Sequence, residues 1–309
     1  MSQLVKLRFK APVHLGEAGF GPEESAVILH SDTLFSSLFQ VWFCLYGCGP
    51  PDLLLSSAFP YVGEEYYFPC PLLPVPHLTF RHVMQYREES RQPHFVSLRY
   101  FSCWIKGEAF DYGRMVEDTR ELYEALMLTM RPRTALDRLT FSPVLYFVGE
   151  TRFDRLKDAG LFFLVDVAPG DWARFKAAMK LLGDEGIGGR RSQGYGVFEP
   201  EFLGEIDLGE PDLPEGFLSL SLVYPDTPEE VRDNLISYRL VERAGWLEDG
   251  AGNRNFRHLR VRMFAEGSVF KRPVRGKLVD VTPRGFGLHP VYRNGRAFGV
   301  GVKLESEGA

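Results

Sequence analysis

Residues 183–198 have the sequence GDEGIGGRRSQGYGVF, in which six of the sixteen residues are glycine and two arginines are adjacent. The segment before it, GDWARFKAAMKLLG, has apolar residues at the spacing of an amphipathic helix. The segment after it, GVFEPEFLG, is typical of a strand. The pattern therefore predicts a glycine loop, residues 186–196, that leads from a helix into a strand.

The two common phosphate-binding motifs do not fit this loop. A P-loop needs a lysine followed by serine or threonine, and the loop contains no lysine. A dinucleotide fingerprint would begin at Gly186 and Gly188, but its third glycine position is occupied by Arg191. That fingerprint also runs from strand to helix, which is the opposite polarity. A nucleotide pocket of either kind is excluded.

The loop still offers the groups that bind a nucleic-acid backbone. Glycines let a ligand approach the main chain, and consecutive amides can form an anion-binding concavity. Arginine supplies forked donors for phosphate, and a tyrosine ring can stack on a base. The alternative is a tight connection with two solvated arginines, and the composition leaves both open. The candidate binding residues are Gly186, Gly188, Gly189, Arg190, Arg191, Ser192, Gln193, Gly194 and Tyr195.

The order of the other segments predicts an α+β fold. Residues 3–10 are typical of a strand, and HSDTLFSSLFQVWFCLYG predicts a helix with Ser31 or Asp32 as its N-cap. Two further strand patterns, LTFSPVLYFVG and GLFFLVDVAP, precede the helix before the glycine loop. The order β-α-β-β-α-β is that of a ferredoxin-like domain, here residues 1–208. Residues 79–145 lack clear periodicity and are predicted to be a long insertion, an arm or a helical cap.

A second domain is predicted over residues 209–309. It is richer in strand patterns, and TPEEVRDNLI predicts one short helix with proline near its start. We interpret this domain as a degenerate copy of the first.

Composition restricts the class of protein. The 309 residues contain no apolar run long enough to span a membrane, and MSQLVKLRFKAP is not a signal peptide. Four cysteines in a chain of this length do not form a disulfide framework, so we expect a cytoplasmic protein. We expect no metal and no organic cofactor. The net charge of −5 argues against a protein that simply coats nucleic acid.

The charge is unevenly distributed in the second half. Residues 205–249 hold twelve acidic side chains against three arginines, whereas residues 251–304 hold twelve basic against two acidic ones. In HLRVRMF, alternation places His258 with the arginines on one strand face and the apolar side chains on the other. This basic ledge can meet RNA phosphate or an acidic protein surface, and the sequence leaves both open. Its arginines are Arg254, Arg257, Arg260 and Arg262.

The glycine loop resembles that of the RAMP superfamily of CRISPR proteins, which lies between the second helix and last strand of a ferredoxin-like fold. Other segments are similar to subunit four of type III-A (Csm) effector complexes, a Cas-five-group family, in order from residue 4 to about residue 303. These segments are HLGEAGFGPEESAVILHSDTLFSSL, TALDRLTFSPVLYFVGETRF, VRMFAEGSVF, LVDVTP and HPVYRNGRAFGVGV.

The resemblance implies a non-catalytic subunit that binds the repeat-derived 5′ handle of the CRISPR RNA (crRNA). It implies that the subunit joins a large Cas-ten-type subunit to the backbone RAMP subunits that cleave target RNA. Two ferredoxin-like domains are expected, the first with a thumb-like hairpin within the insertion that intercalates in the guide–target RNA duplex. Candidates for RNA contact there are Arg131, Arg133 and Arg138, although surface salt bridges explain each of them equally well.

His30, Ser31 and Asp32 admit two interpretations. Some RAMP relatives process RNA with a histidine, and histidine is the usual general base near neutral pH. An endoribonuclease that processes precursor crRNA through His30 is therefore an alternative function. We favour an N-cap with an anion site, formed by His30 and Ser31, because no acid partner is identifiable. A purely structural adaptor is a third possibility.

Overall fold

The computed structural model has a mixed α/β architecture built on antiparallel sheets. In the part of the chain it describes there are five α-helices and nineteen strands. It describes residues 2–16, 21, 23–50, 52–78, 94–137, 139, 141–247, 256–287 and 289–304.

Most helices and the longer strands lie in the first two thirds of the chain. The helices are α1 (Ser31–Tyr46), α2 (Leu98–Lys106), α3 (Tyr112–Asp118), α4 (Arg120–Ala125) and α5 (Trp172–Glu185). The first nine strands are β1 (Gln3–Phe9), β2 (Leu53–Leu55), β3 (Phe59–Val62), β4 (Glu65–Pro69), β5 (Phe95–Ser97), β6 (Leu126–Leu136), β7 (Pro143–Phe153), β8 (Ala159–Val167) and β9 (Phe198–Glu205).

The strands of the last third are short. They are β10 (Gly216–Ser219), β11 (Leu235–Ser237), β12 (Leu240–Arg243), β13 (Trp246–Leu247), β14 (Phe256–Arg257), β15 (Val261–Phe264), β16 (Val269–Phe270), β17 (Leu278–Asp280), β18 (Tyr292–Asn294) and β19 (Gly299–Val302).

A seven-stranded sheet forms the centre of the molecule. Its order is β5-β4-β3-β8-β1-β9, with β2 also paired to β8, and the paired strands are antiparallel. The run of β8, AGLFFLVDV, is buried over its first seven residues, as expected for a strand covered on both faces. Helices α1 and α5 pack together, and α5 packs on β9. The end of α5 and the start of β9 thus fix both ends of the glycine loop.

The segment predicted as an insertion is largely part of the core. Phe101 and Ile105 of α2, Met115 of α3 and Leu122 of α4 are completely buried in the main apolar core. The prediction of an appended arm or cap is therefore wrong for these helices, because their apolar faces pack on the central sheet. The predicted end of the insertion, residue 145, falls inside β7. Residues 79–93 lie outside the described residues.

One element of this region does project from the core. Strands β6 and β7 form a hairpin with continuous pairing from Leu126↔Phe153 to Leu136↔Pro143. The base of the hairpin is buried, but most side chains of its outer half are exposed, including Leu136 and Leu145. The hairpin begins next to the central sheet and ends in solvent.

The last third of the chain differs from its prediction. It contains a four-stranded sheet, β11-β16-β10-β19, and three two-stranded sheets. No α-helix is present in residues 209–247, 256–287 and 289–304, so the expected second β-α-β-β-α-β unit has no counterpart there. TPEEVRDNLI forms only the 3-10 turn Pro228–Glu230, because the Asn234 side chain bonds Glu230 O and Arg272 O and β11 begins at Leu235.

The apolar core continues across the predicted domain boundary at residues 208 and 209. Leu218, Leu220 and Val300 belong to the same buried cluster as Leu4 and Leu7 of β1. Within the described ranges, no helix combines the length and the apolar character that a membrane crossing requires.

Candidate nucleic-acid interface

The glycine loop is fastened to a short segment of the chain that precedes α1. The amide of Gly189 donates to His14 O at 2.9 Å, and the amide of Gly196 donates to Pro12 O at 2.8 Å. Val13, which lies between Pro12 and His14, pairs with Thr151 of β7 through hydrogen bonds of 3.0 and 2.8 Å. The loop and the base of the hairpin are therefore attached to the same three residues.

The glycines are needed mainly for this internal packing. Gly188 has φ of 85°, and a Cβ there would lie 2.6 Å from His14 O. Gly196 has φ of 73°, and its Cβ would overlap Ile187 O. The prediction that bare glycines clear space for a ligand is corrected at these two positions, because the space is filled by the loop's own neighbours.

A short edge of the loop remains open. Arg190 has left-handed backbone (φ 62°), and a 3-10 turn, Arg191–Gln193, follows it. Residues 191–194 are exposed. The amides of Arg190, Arg191 and Ser192 make no hydrogen bond with the described residues, whereas those of Gln193 and Gly194 close the turn. This edge combines free donors with two guanidinium groups.

Tyr195 does not have the role predicted for it. Only 5% of the residue is exposed, so its ring is not available to stack on a base. Its hydroxyl donates to Glu150 Oε2 at 2.7 Å and accepts from Arg133 at 3.0 Å. Tyr195 therefore links the loop to the hairpin.

Glu150 lies at the centre of this link. Its side chain is completely buried, Oε1 accepts from Arg152 Nε at 2.7 Å, and Arg131 Nε forms an ion pair with the same oxygen at 2.7 Å. Burial alone would raise the pKa of Glu150, but hydrogen bonds from Tyr195 and Arg152 and the charges of Arg152 and Arg131 hold that pKa below its usual value. We call Glu150, Arg131, Arg133, Arg152 and Tyr195 the Glu150 cluster.

The pairing register shows that the two faces of the hairpin differ. Thr129 lies opposite Glu150 and Arg133 opposite Tyr146, so the polar and basic side chains share one face. Arg190 of the loop lies over the ring of Tyr146 at 5.5 Å, so this face is directed toward the glycine loop. The other face carries exposed apolar side chains, which are Leu128, Met130, Leu136, Leu145 and Phe147.

The predicted anion site at the start of α1 is buried. His30 is 7% exposed, and its Nδ1 lies 2.8 Å from Glu266 Oε1. Ser31 is fully buried, with its amide bonded to Ser57 and its hydroxyl to Leu222 N. The prediction that His30 and Ser31 bind RNA is wrong in this structure, because the last third of the chain covers them. His30, with extended backbone, is also the N-cap residue in place of Ser31 or Asp32.

Asp32 forms a second buried charged group beside them. It accepts from Arg243 Nε at 2.9 Å and Arg243 Nη2 at 3.1 Å, and it also pairs with Arg293. Burial would raise the pKa of Asp32, but the charges of Arg243 and Arg293 hold that pKa far below its usual value. We call Asp32, Arg243, Arg293, His30 and Glu266 the Asp32 cluster. It connects α1 to the last third of the chain.

The basic ledge is only partly as predicted. Arg262 is exposed and Met263 is buried, but β15 begins at Val261, so the alternation does not extend to the exposed Leu259. His258 is half-buried, and burial together with Arg293 lowers its pKa from 6.5 to about 4.

The two ledge arginines on either side of His258 both contact neighbouring side chains. Arg260 pairs with Glu242 at 3.1 Å, and Arg257 lies over Trp246 at 4.2 Å. Arg254 of the ledge and Arg138 of the hairpin lie outside the described residues.

Several members of the candidate interface are not apparent from the sequence. Glu150 and Arg152 alternate in VGETRF, which indicates one strand face, but the sequence does not pair that face with the glycine loop. His14 contacts Gly149 O at 2.8 Å and lies beside Gly189. Among the described residues, no group of three His, Cys, Asp or Glu side chains is placed to hold a metal ion.

Comparison with known proteins gives the family. A family model described as the CRISPR Csm4 C-terminal domain matches residues 214–302. A Csm4 protein of Thermococcus onnurineus is 30% identical over 295 residues, covering 90% of this chain and 92% of that protein. A Csm4 protein of Mycobacterium tuberculosis is 28% identical over 312 residues, covering 92% of each.

Solved structures show the same fold. A chain in a crystal structure of a Csm1–Csm4 cassette with cA4 is 24% identical and superimposes with a TM-score of 0.66 over 100% of both chains. A chain of a Csm3–Csm4 subcomplex is 17% identical, with a TM-score of 0.65 over 98% of this chain and 100% of that one. The sequence identity to the Thermococcus protein over nine tenths of the chain is decisive, and this chain belongs to the Csm4 family of CRISPR proteins.

Proposed function

We propose that this chain is the non-catalytic RNA-binding subunit of a type III-A CRISPR interference complex. The glycine loop holds the 5′ handle of the crRNA, and the basic face of the hairpin holds the guide nucleotides that follow the handle. The chain also bridges the large Cas-ten-type subunit to the backbone RAMP subunits.

The observation that carries the proposal is the open edge of the glycine loop beside the basic hairpin face. The guanidinium groups of Arg131 and Arg152 contact a buried carboxylate, and that of Arg133 is joined to it through the Tyr195 hydroxyl. Arg190 lies over Tyr146 on the same hairpin face, and Arg191 is exposed on the loop edge. Free amides of the loop add donors to these charges. Charge-assisted bonds to phosphate are the strong ones, and such an arrangement suits an RNA backbone.

The fold supports the family role. The strand order β9-β1-β8-β3, with α1 following β1 and α5 following β8, is the ferredoxin-like arrangement, and it supports a RAMP-type N-terminal unit. The hairpin of β6 and β7 projects from this unit as a thumb would, with exposed Leu136 near its tip. Relatives of similar fold are solved with Csm1 and with Csm3, which supports the bridging role.

The endoribonuclease alternative receives no support from the site. A general base must reach the proton that it abstracts. His30 is buried, and its Nδ1 contacts the equally buried Glu266. Incubation of the purified chain with precursor crRNA is expected to give no cleavage, and specific cleavage would contradict the non-catalytic assignment.

Crosslinking tests the RNA-binding assignment. The full chain is mixed with handle RNA carrying 4-thiouridine, irradiated, and its crosslinked peptides are identified by mass spectrometry. We expect crosslinks in residues 189–194. Crosslinks confined to residues 256–287 would place RNA on the basic ledge instead, and no crosslinks at all would favour the structural adaptor.

A matched pair of variants controls for charge. Arg190→Ala/Arg191→Ala and Lys271→Ala/Arg272→Ala each remove two adjacent basic residues from the chain. The first variant is expected to lose the loop crosslinks, and the second is expected to keep them.

A further inference from the structure

We propose that Glu150 is a positioning residue of the RNA interface. Its carboxylate holds the glycine loop and two hairpin arginines in one arrangement, so that the loop and the hairpin bind a single RNA strand together. This inference rests on the proposed RNA-binding function and adds to it how the two halves of the site are joined.

Both oxygens of Glu150 are used, and they are used differently. Oε2 accepts from the Tyr195 hydroxyl, which belongs to the loop. Oε1 accepts from Arg152 and forms an ion pair with Arg131, and both arginines belong to the hairpin. One buried carboxylate thus contacts both elements. Removing its charge or its acceptor would release the loop from the hairpin at this point.

The arginines are held in a way that leaves their outer nitrogens free. Arg152 donates to Glu150 through Nε, Arg131 forms its ion pair with Glu150 through Nε, and the side chains of Arg131 and Arg152 remain 49% and 34% exposed. In the described residues their terminal nitrogens have no acceptor. Because a guanidinium is planar, fixing Nε fixes the direction of the other two nitrogens. Both forks are therefore oriented before any ligand arrives.

Arg133 provides the second link between loop and hairpin. It donates through Nη2 to the Tyr195 hydroxyl, and its Nε is buried without an acceptor in the part of the chain that is described. Buried polar groups normally have a partner, so an unpaired donor beside Tyr195 indicates a missing acceptor.

Electrostatics and positioning predict opposite effects for the same substitution. Glu150 is ionised near neutral pH because its pKa is held below the usual range despite burial. A negative charge beside the hairpin guanidiniums weakens phosphate binding by simple Coulomb repulsion. Glu150→Gln should therefore strengthen RNA binding if charge alone matters, and weaken it if orientation matters.

The experiment measures the affinity of the full chain for two RNAs. One is the handle alone, and the other is the handle extended at its 3′ end by guide sequence long enough to reach the hairpin. We expect Glu150→Gln to weaken binding of the extended RNA about tenfold, the effect of one lost charge-assisted hydrogen bond. Binding of the handle alone should weaken less than threefold, because the loop edge itself is intact.

Tyr195→Phe removes only the hydroxyl and should also weaken binding of the extended RNA. Its buried ring is retained, so it serves as the second variant if Glu150→Gln does not fold. Glu185→Gln is the matched control, because Glu185 is exposed and lies 3.9 Å from Arg191. This control should bind both RNAs as tightly as wild type or more tightly.

If Glu150 had only a structural role, its substitution would lower the melting temperature of the protein and weaken binding of both RNAs equally. Positioning predicts instead that crosslinks to the hairpin are lost while those to residues 189–194 persist. Equal or tighter binding of the extended RNA by folded Glu150→Gln or Tyr195→Phe would overturn the inference. If wild type itself fails to bind the handle, the proposed function fails first, so the two failures are distinguishable.

Discussion

Two buried carboxylates in this protein are bonded to arginines, yet their surroundings differ. The arginines that contact Asp32 have side chains only 5% and 9% exposed, whereas those that contact Glu150 remain 49% and 34% exposed. At Asp32 the guanidiniums are enclosed between α1 and the last third of the chain. At Glu150 the arginines that contact the carboxylate, Arg131 and Arg152, remain partly open to solvent.

The comparison shows that an arginine–carboxylate pair does not by itself indicate function. What matters is where the remaining donors of the arginine go. The second terminal nitrogen of Arg293 donates to Ala244 O, and Arg243 also donates to Thr33, so these donors are directed into the protein and away from solvent. We therefore assign stability to the Asp32 cluster and ligand binding to the Glu150 cluster.

The largest effect is expected from Asp32→Asn. This change leaves two guanidiniums buried without their counter-charge, which costs about 3–5 kcal/mol in the free energy of unfolding. Chemical denaturation measures it. Asp158→Asn is the control, because the Asp158 pair with Arg8 is exposed and is worth at most about 1 kcal/mol. If Asp32→Asn folds stably but loses RNA affinity, the Asp32 cluster contributes to RNA binding and the contrast with the Glu150 cluster is wrong.

Two glycines of the loop separate packing from backbone strain. Gly196→Ala combines a positive φ with a Cβ that would overlap Ile187 O, and it should lower the free energy of unfolding by about 2–4 kcal/mol. Gly194 also has a positive φ, but the space around its Cβ position is open, so Gly194→Ala should lower the free energy of unfolding by only about 1–2 kcal/mol. Thermal unfolding distinguishes them. Equal effects would show that the loop is not held by close packing.

His258 makes the stability of the Asp32 region depend on pH. Its pKa falls from 6.5 to about 4 on folding, so below pH 6.5 the unfolded chain binds a proton that the folded chain does not. Stability should fall by up to about 1.4 kcal/mol per pH unit from pH 6.5 toward 4. The depressed pKa of Asp32 adds to this loss only nearer pH 4 and below.

Denaturation measured at several pH values checks this prediction. His258→Gln should flatten the slope between pH 6.5 and 4.5, since glutamine does not titrate. An unchanged slope in that variant would assign the pH dependence to other groups.

The smallest effect on RNA is expected from the ledge. Arg260 is already paired with Glu242, so Arg260→Glu should change handle affinity less than about threefold. A fluorescence-anisotropy titration measures it. A loss of handle affinity comparable to that of the loop variants would show that the RNA site also includes the basic ledge.

The sequence predicts local structure well where the pattern is continuous. The helix before the glycine loop, the strand after it and the β8 strand all lie where their patterns indicate. The helices α2 to α4 were not predicted, because their apolar residues are mixed with charges and their burial depends on the central sheet.

The candidate site is predictable only in part for a related reason. The loop arginines and the hairpin arginines are visible in sequence, but Glu150 and Tyr195 meet only after β7 pairs with β6 beside the loop. Similarly, nothing local in HSDTLF shows that Glu266 and Arg243 will cover it. Contacts between residues far apart in sequence decided which charged residues are exposed.

The salt dependence of handle binding tests the central claim most directly. The dissociation constant of the handle RNA is measured from low to high salt for wild type and for Arg190→Ala/Arg191→Ala, with Lys271→Ala/Arg272→Ala as control. If both loop arginines neutralise phosphates, the slope of log Kd against log salt should fall by about 1.4 in the loop variant and stay unchanged in the control. An unchanged slope in the loop variant would contradict the assignment of RNA binding to this edge.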